Sequence, residues 1–203
     1  RMACRLAERF GGTAVIPHCG APFGFSATED WLSEVAEAAG AEPAPALAAV
    51  KAVRCRVACV LSRVTSLTGA PKGLACGIHA DASSALPLAR FLYEYLGILP
   101  LSVETPEGEP VQGNWTDRLK VSLARMGCAD AWEAPWQNSQ ADFLLADGCQ
   151  VVQASVFGIP EDGTVELMLP MSGNVNLTPK PLLGAEGAAH LVEKIVNAVS
   201  KML

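Results

Sequence analysis

At 203 residues the chain is long enough to bury one sizeable core, or to hold one domain with part of another. Hydrophobic residues make up 50% and charged residues 18%, which excludes a disordered chain and predicts a globular one with much aliphatic surface inside. The formal net charge of -6 and a pI near 5.1 exclude the concentrated basic surface that binding to nucleic-acid phosphates demands.

Met2, Leu6 and Phe10 recur every four residues and predict a short amphipathic helix stopped by Gly11-Gly12. Thr13 to Ile16 reads as a short buried strand, and the Pro- and Gly-rich stretch from Pro17 to Ala27 as an irregular loop. Thr28 is placed to cap a helix running from about Glu29 to Ala39 and closed by Gly40. After Pro43 and Pro45 a longer helix carries Leu47, Val50, Val53, Val57, Val60, Leu61 and Val64 at intervals of three and four. Its cations Lys51, Arg54, Arg56 and Arg63 form a solvated face or meet an acidic partner. Gly69 and Pro71 end it.

From Lys72 onward short apolar runs alternate with helical stretches, the pattern of parallel β-α-β units. Strands are expected at Gly73–Ile78, Leu99–Val103, Phe143–Ala146 and Val165–Leu169. Helices are expected at Ala85–Leu96, Trp115–Met126 and Val151–Phe157, with a closing helix Gly184–Met202 whose face is Ala188, Leu191, Ile195, Val199 and Met202. The expected fold is therefore α/β: a three-layer Rossmann-like domain with a parallel sheet at about residues 68–203, preceded by a helical tail of a neighbouring domain at 1–67.

Seven cysteines cannot all pair and contain no C-x-x-C spacing, so reduced thiols in a cytoplasmic protein are expected. The longest aliphatic stretch, Ala85 to Leu101, is broken by Arg90 and Glu94, short of the about 18 uninterrupted apolar residues of a membrane span. No secretory h-region follows the first ten residues, and a start at Arg1 instead of Met is what a piece of a longer protein would show.

Motifs in a fixed order carry a resemblance. Pro22, Gly24, Thr28, Trp31 and Leu32 match a P-x-G-x-x-x-T-x-x-[FW]-L segment, followed by Arg54-Cys55-Arg56, the Gly69–Ala75 stretch, Phe91-Leu92-Tyr93-Glu94-Tyr95-Leu96-Gly97, Gln140-Ala141-Asp142-Phe143 and Gly184-Ala185-Glu186-Gly187-Ala188. In this order they resemble the C-terminal half of a nitrogenase component 1 family subunit, over nearly the whole chain. The resemblance implies an oxidoreductase subunit, nitrogenase-like or protochlorophyllide-reductase-like, that works with a paired component 1 subunit and receives electrons from an ATP-dependent iron–sulfur reductase protein. Neither nucleic acid nor membrane is expected as a partner, on the acidic balance and the lack of a long apolar run given above. A non-catalytic cofactor-assembly scaffold, or a metal-chelate or tetrapyrrole-binding module of the same fold, is the alternative.

The family's iron–sulfur cluster is held by cysteines of its N-terminal domain, so the resemblance implies no cofactor in these 203 residues and a cluster in the full-length protein. The His that ligates the active-site metal cluster in nitrogenase α subunits is replaced here by Leu183, and the second ligand, a Cys, would fall before Arg1.

Candidate chemistry lies at Cys76-Gly77-Ile78-His79-Ala80-Asp81-Ala82-Ser83-Ser84, where a strand hands over to a helix. Ligands of open α/β sheets gather at that edge, and helix N-terminal N–H groups favour anions. His79 falls where the resemblance places a cofactor-facing Arg of nitrogenase α subunits, and is the candidate catalytic residue. Gly77, Ser83 and Ser84 are the candidate cofactor or anion contacts, with helix capping as the competing role of the serines. His18-Cys19 supplies too few ligands for a closed metal site, and Cys55 and Cys59 share a helix face without a third partner. Neither G-x-G-x-x-G, G-x-x-x-x-G-K-[ST] nor G-x-S-x-G occurs, which removes the main warrants for dinucleotide, ATP or hydrolase chemistry.

Overall fold

A computed structural model describes residues 2–106, 114–168 and 180–202. Helices α1 (Met2–Phe10), α2 (Phe25–Ala39) and α3 (Ala44–Thr68) precede strand β1 (Ala75–His79). Then come α4 (Ala82–Arg90), continued by a π-helical turn Phe91–Leu96, β2 (Leu99–Glu104), α5 (Trp115–Arg125), β3 (Phe143–Asp147), α6 (Gly148–Ala154), β4 (Thr164–Met168) and α7 (Gly184–Met202).

The four strands form one parallel sheet in the order β2-β1-β3-β4. Because side chains of a strand alternate between faces, β3 feeds two cores. Phe143 and Leu145 join the large cluster under α3, α4, α5 and α7, whereas Leu144 and Ala146 join a smaller one with Trp136, Ala154 and Ile159. Helical layers on both faces of a parallel sheet are the α/β architecture expected from the alternation of runs. Asp142 starts β3 by pairing with the first residue of β1 in both directions: Asp142 N–H donates to Ala75 O at 2.9 Å, and Oδ2 accepts from Ala75 N–H at 2.8 Å.

The closing helix buries Ala188, Leu191, Ile195 and Val199 as its spacing predicted; the side chain of Met202, like the predicted strand end Leu169, lies outside the described residues. α3 buries Val50 and Val57 against the same cluster, but Val60, three residues further on, stays 58% exposed. The residues before the sheet therefore contribute Phe23, Phe25, Val50 and Val57 to the core of the sheet itself.

Four local expectations are corrected. Thr13 to Ile16 forms no strand, since a strand needs a ladder partner and the sheet draws all four strands from residues 75–168. The helix predicted to start at Glu29 starts at Phe25, with Gly24 at its N-cap, and Thr28 lies within its first turn. There the Thr28 hydroxyl donates to Gly24 O at 2.6 Å, bonding back along the helix as threonines do when not at a cap. The helices expected from Ala85 and Val151 begin earlier, at Ala82 and Gly148, because Asp81 and Asp147 cap them.

Candidate functional site

Pro87 sits inside α4, where its missing N–H leaves the carbonyl of Ser83 without its helical partner. That carbonyl accepts instead from Ala21 N–H at 2.8 Å, tying the irregular loop to the helix. The approach is close enough that a Cβ on Gly20 would stand 2.2 Å from Ser83 O. Four residues on, Gly24 takes φ 80 and ψ 174, a conformation essentially reserved for glycine, and a Cβ there would lie 2.6 Å from the Phe91 ring. The π turn stacks Phe91 on Tyr95 at 5.4 Å between centroids, and Phe25 meets both edge-on. Arg54 lies over the Tyr95 ring at 5.9 Å and reaches Glu29 at 3.5 Å.

The two outlying motifs meet at this point. Gly184 N–H, opening α7, donates to Pro22 O at 2.8 Å, and Thr28 Oγ1 reaches the same carbonyl at 3.3 Å. Arg56 of α3 holds Glu186 of α7 through both carboxylate oxygens, at 2.8 and 3.0 Å. Of the four α3 cations, Arg54 and Arg56 thus join acids of neighbouring helices, while Lys51 and Arg63 face solvent.

The carboxyl edge of the sheet is a second place where distant residues converge. With the order β2-β1-β3-β4, the chain leaves β1 toward one side and leaves β3 toward the other, so the crevice between their carboxyl ends is the topological switch point where open sheets bind ligands. His79 is the last residue of β1 and Asp147 the last of β3. Their side chains are 17% and 24% exposed, and His79 Nδ1 stands 3.2 Å from Asp147 Oδ2. The approach is oblique to the ring N–H, leaving this buried Nδ1 without an aligned partner. Asp147 Oδ1 faces the other way and caps α6, accepting from Cys149 N–H at 2.9 Å and Gln150 N–H at 3.2 Å. Glu104, the last residue of β2, is engaged nearby: its Oε2 accepts from Trp136 N–H at 3.1 Å.

The remaining candidates fall out differently. Gly77 lies mid-strand, where a Cβ would meet Trp136 Cβ at 3.1 Å and Leu144 Cδ1 at 3.2 Å, so its size lets Trp136 close over the sheet. Ser83 and Ser84 stand in the first turn of α4 with Asp81 as its cap. Asp81 accepts from both backbone N–H groups and both hydroxyls, with Ser84 Oγ at 2.9 Å. An anion arriving there would meet this carboxylate first.

His18 pairs with Glu34, and Cys19 donates to Ala27 O at 3.4 Å. Burial, with Glu34 and Asp30 adding to it, pushes the Cys19 thiol up to about 11; burial also raises the thiols of Cys76 and Cys128. A cluster ligand must be a thiolate, which burial beside carboxylates opposes. Cys55, Cys59 and Cys149 are exposed and apart from these, and among the described residues no group of three or more His, Cys, Asp or Glu is placed to hold a metal ion. Leu183, just before α7, is 49% exposed and has no donor atom. The described residues accordingly do not fit an iron–sulfur or iron cofactor by themselves.

Residues 1–200 match the family profile of nitrogenase component 1 type oxidoreductases. The chain belongs to that family. A solved structure of nitrogenase Cp1 at pH 6.5 superposes with a TM-score of 0.70 at 22% identity, over 89% of this chain and 39% of that one. At this identity the likeness establishes the component 1 fold, and the chain spans well under half the length of that relative. No curated protein matches it. Among the described residues no helix is long and apolar enough to cross a membrane.

Asp147 was not among the candidates drawn from the sequence. Its signal is present nonetheless: an acid ending a four-residue apolar run and followed by Gly148 marks a strand end and helix cap. Its position beside His79, 68 residues earlier in the chain, depends on which strands are neighbours.

Proposed function

We propose that the chain is the C-terminal part of a nitrogenase-like component 1 subunit, paired with a second component 1 subunit and served by an ATP-dependent iron–sulfur reductase protein. The cluster that passes electrons would be held by residues outside these 203, and this part would frame the substrate crevice and the subunit contacts. The observation that carries the reading is the closure of the family motifs on one another: Pro22 O with Gly184 N–H, Arg56 with Glu186, and Asp142 with Ala75. These residues lie within the stretch 1–200 that matches the family profile. Division into a tail of a preceding domain at 1–67 and a Rossmann-like domain at 68–203 belongs to the same proposal, as does a cytoplasmic location.

Within the crevice His79 is the residue that handles a proton, donating a proton or hydrogen bond to a group being reduced. Its support is position: it ends β1 at the switch point, and imidazole is the side chain that ordinarily changes charge in the physiological range. Gly77, Ser83 and Ser84 are proposed as contacts beneath and beside a bound group, subject to the packing and capping described above.

The scaffold reading, a cofactor-assembly or tetrapyrrole-binding module, is favoured by one feature, Leu183 in place of a metal-ligating His. Iron and sulfide analysis with dithionite-reduced EPR of the complex isolated anaerobically separates the two. An iron–sulfur signal that is reduced by the ATP-dependent partner is expected. A fully assembled complex with no such signal would overturn the reductase reading in favour of the scaffold.

A further inference from the structure

We propose that Asp147 is a positioning residue for His79: its Oδ2 holds the proton on Nδ1, so that His79 exchanges protons at Nε2 alone. The proposal rests on the reading of His79 as the proton-handling group, but its structural content stands on the crevice itself. A carboxylate only accepts hydrogen bonds, so the ring nitrogen facing it must carry the proton, whether the imidazole is neutral or charged. Nδ1 is 3.2 Å from Oδ2, a hydrogen-bonding distance once the N–H is aligned with the oxygen. Water does not reach Nδ1, and a buried N–H left without a partner is costly, which drives that alignment.

The carboxylate is itself held in place. Asp147 Oδ1 accepts the two free N–H groups at the start of α6, which fixes the plane of the carboxyl group and presents Oδ2 across the crevice to β1. Residues 79 and 147 both end neighbouring parallel strands, so the sheet register sets their separation. The other acids of this edge are occupied elsewhere, Glu104 by Trp136 N–H and Asp81 by the cap of α4. In use, a proton leaves Nε2 for the bound group and returns from solvent to the same nitrogen. No electron moves through the pair.

Capping makes the test sharp. In Asp147→Asn the side-chain oxygen is still required by Cys149 and Gln150 N–H, so the amide NH2 takes the place of Oδ2 and faces Nδ1 as a donor. His79 must then carry its proton on Nε2. Asp147→Ser keeps a good cap and leaves nothing opposite Nδ1. The chain has three histidines, so long-range 15N–1H correlation spectra of the 203-residue protein can be assigned with His18→Gln and His190→Gln.

At a pH where the ring is neutral, wild-type His79 should be in the Nδ1–H form, with Asp147→Asn inverting it to Nε2–H and Asp147→Ser abolishing the preference for Nδ1–H. An Nε2–H ring in the wild type overturns the proposal, and so does an unchanged tautomer in a folded Asn or Ser variant. Turnover of the assembled complex keeps the two readings apart. An inverted tautomer with normal turnover in His79→Ala would sink the catalytic reading and leave the pair standing, whereas an uninverted tautomer sinks the pair whatever the turnover.

Discussion

Where the loop 17–24 meets α4 and α7, backbone groups that have left regular structure find partners in close contact: Ser83 O takes Ala21 N–H, Pro22 O takes Gly184 N–H, and Gly24 lies against Phe91. At the carboxyl edge of β1 and β3 the opposite holds, and a buried ring nitrogen stands beside a carboxylate without alignment. The first region is closed by sterics and by hydrogen bonds spanning the whole chain. The second has polar groups in excess of what folding uses. Rigid packing next to under-used polarity is the arrangement a functional crevice needs, because the frame fixes the strand ends while the polar groups stay available.

The contrast breaks most readily at Gly24. Alanine there must hold a backbone conformation reserved for glycine and push its methyl into Phe91, at about 3 kcal/mol of stability. Thermal unfolding should show a drop of many degrees, and a drop of only a degree or two would mean the junction is looser than its distances say. Thr28→Val removes a buried hydroxyl that serves Gly24 O and Pro22 O, and should lower stability by about 1 kcal/mol. Arg56→Ala cuts an exposed pair with Glu186 and should change stability by about 0.5 kcal/mol or less.

At the carboxyl edge the order of effects reverses. His79→Ala should reduce turnover of the assembled enzyme strongly while unfolding within about 1 kcal/mol of wild type, since it ends a strand and fills no core position. A large stability loss with normal turnover would move His79 into the structural class. The thiols sharpen the picture further. Alkylation at pH 8 should label exposed Cys55, Cys59 and Cys149 first and Cys19 and Cys76 last, because burial holds those two protonated well above that pH. Anaerobic reconstitution of the 203 residues with iron and sulfide should likewise leave them colourless; stoichiometric visible absorbance that vanishes on mutating Cys19 or Cys76 would reveal a site these distances do not show.

Much of the architecture is written in local pattern. The aliphatic face of α7, the β-α-β alternation after Lys72 and the stop at Gly40 all follow from periodicity and backbone preference, which act over a few residues and need no knowledge of the rest. Two of the errors share one cause. Thr13 to Ile16 has strand composition but no ladder partner, and Thr28 has a capping side chain but lies one turn inside a helix that Gly24 and Phe91 allow to start early. In both, the tertiary surroundings overrode a local preference, by offering no partner in the first and by packing the helix start in the second.

The sequence by itself determined the family, through motifs in fixed order, and put His79 just past the end of a strand, which in the structure it closes. Only the tertiary structure decided that the strands run β2-β1-β3-β4, which opens the crevice between β1 and β3 and brings Asp147 to His79. The physical reason is that strand order is a global property. Each apolar run can pair with any other, and the choice is made by how helices cover both faces, so which strand ends become neighbours is not written within any one motif.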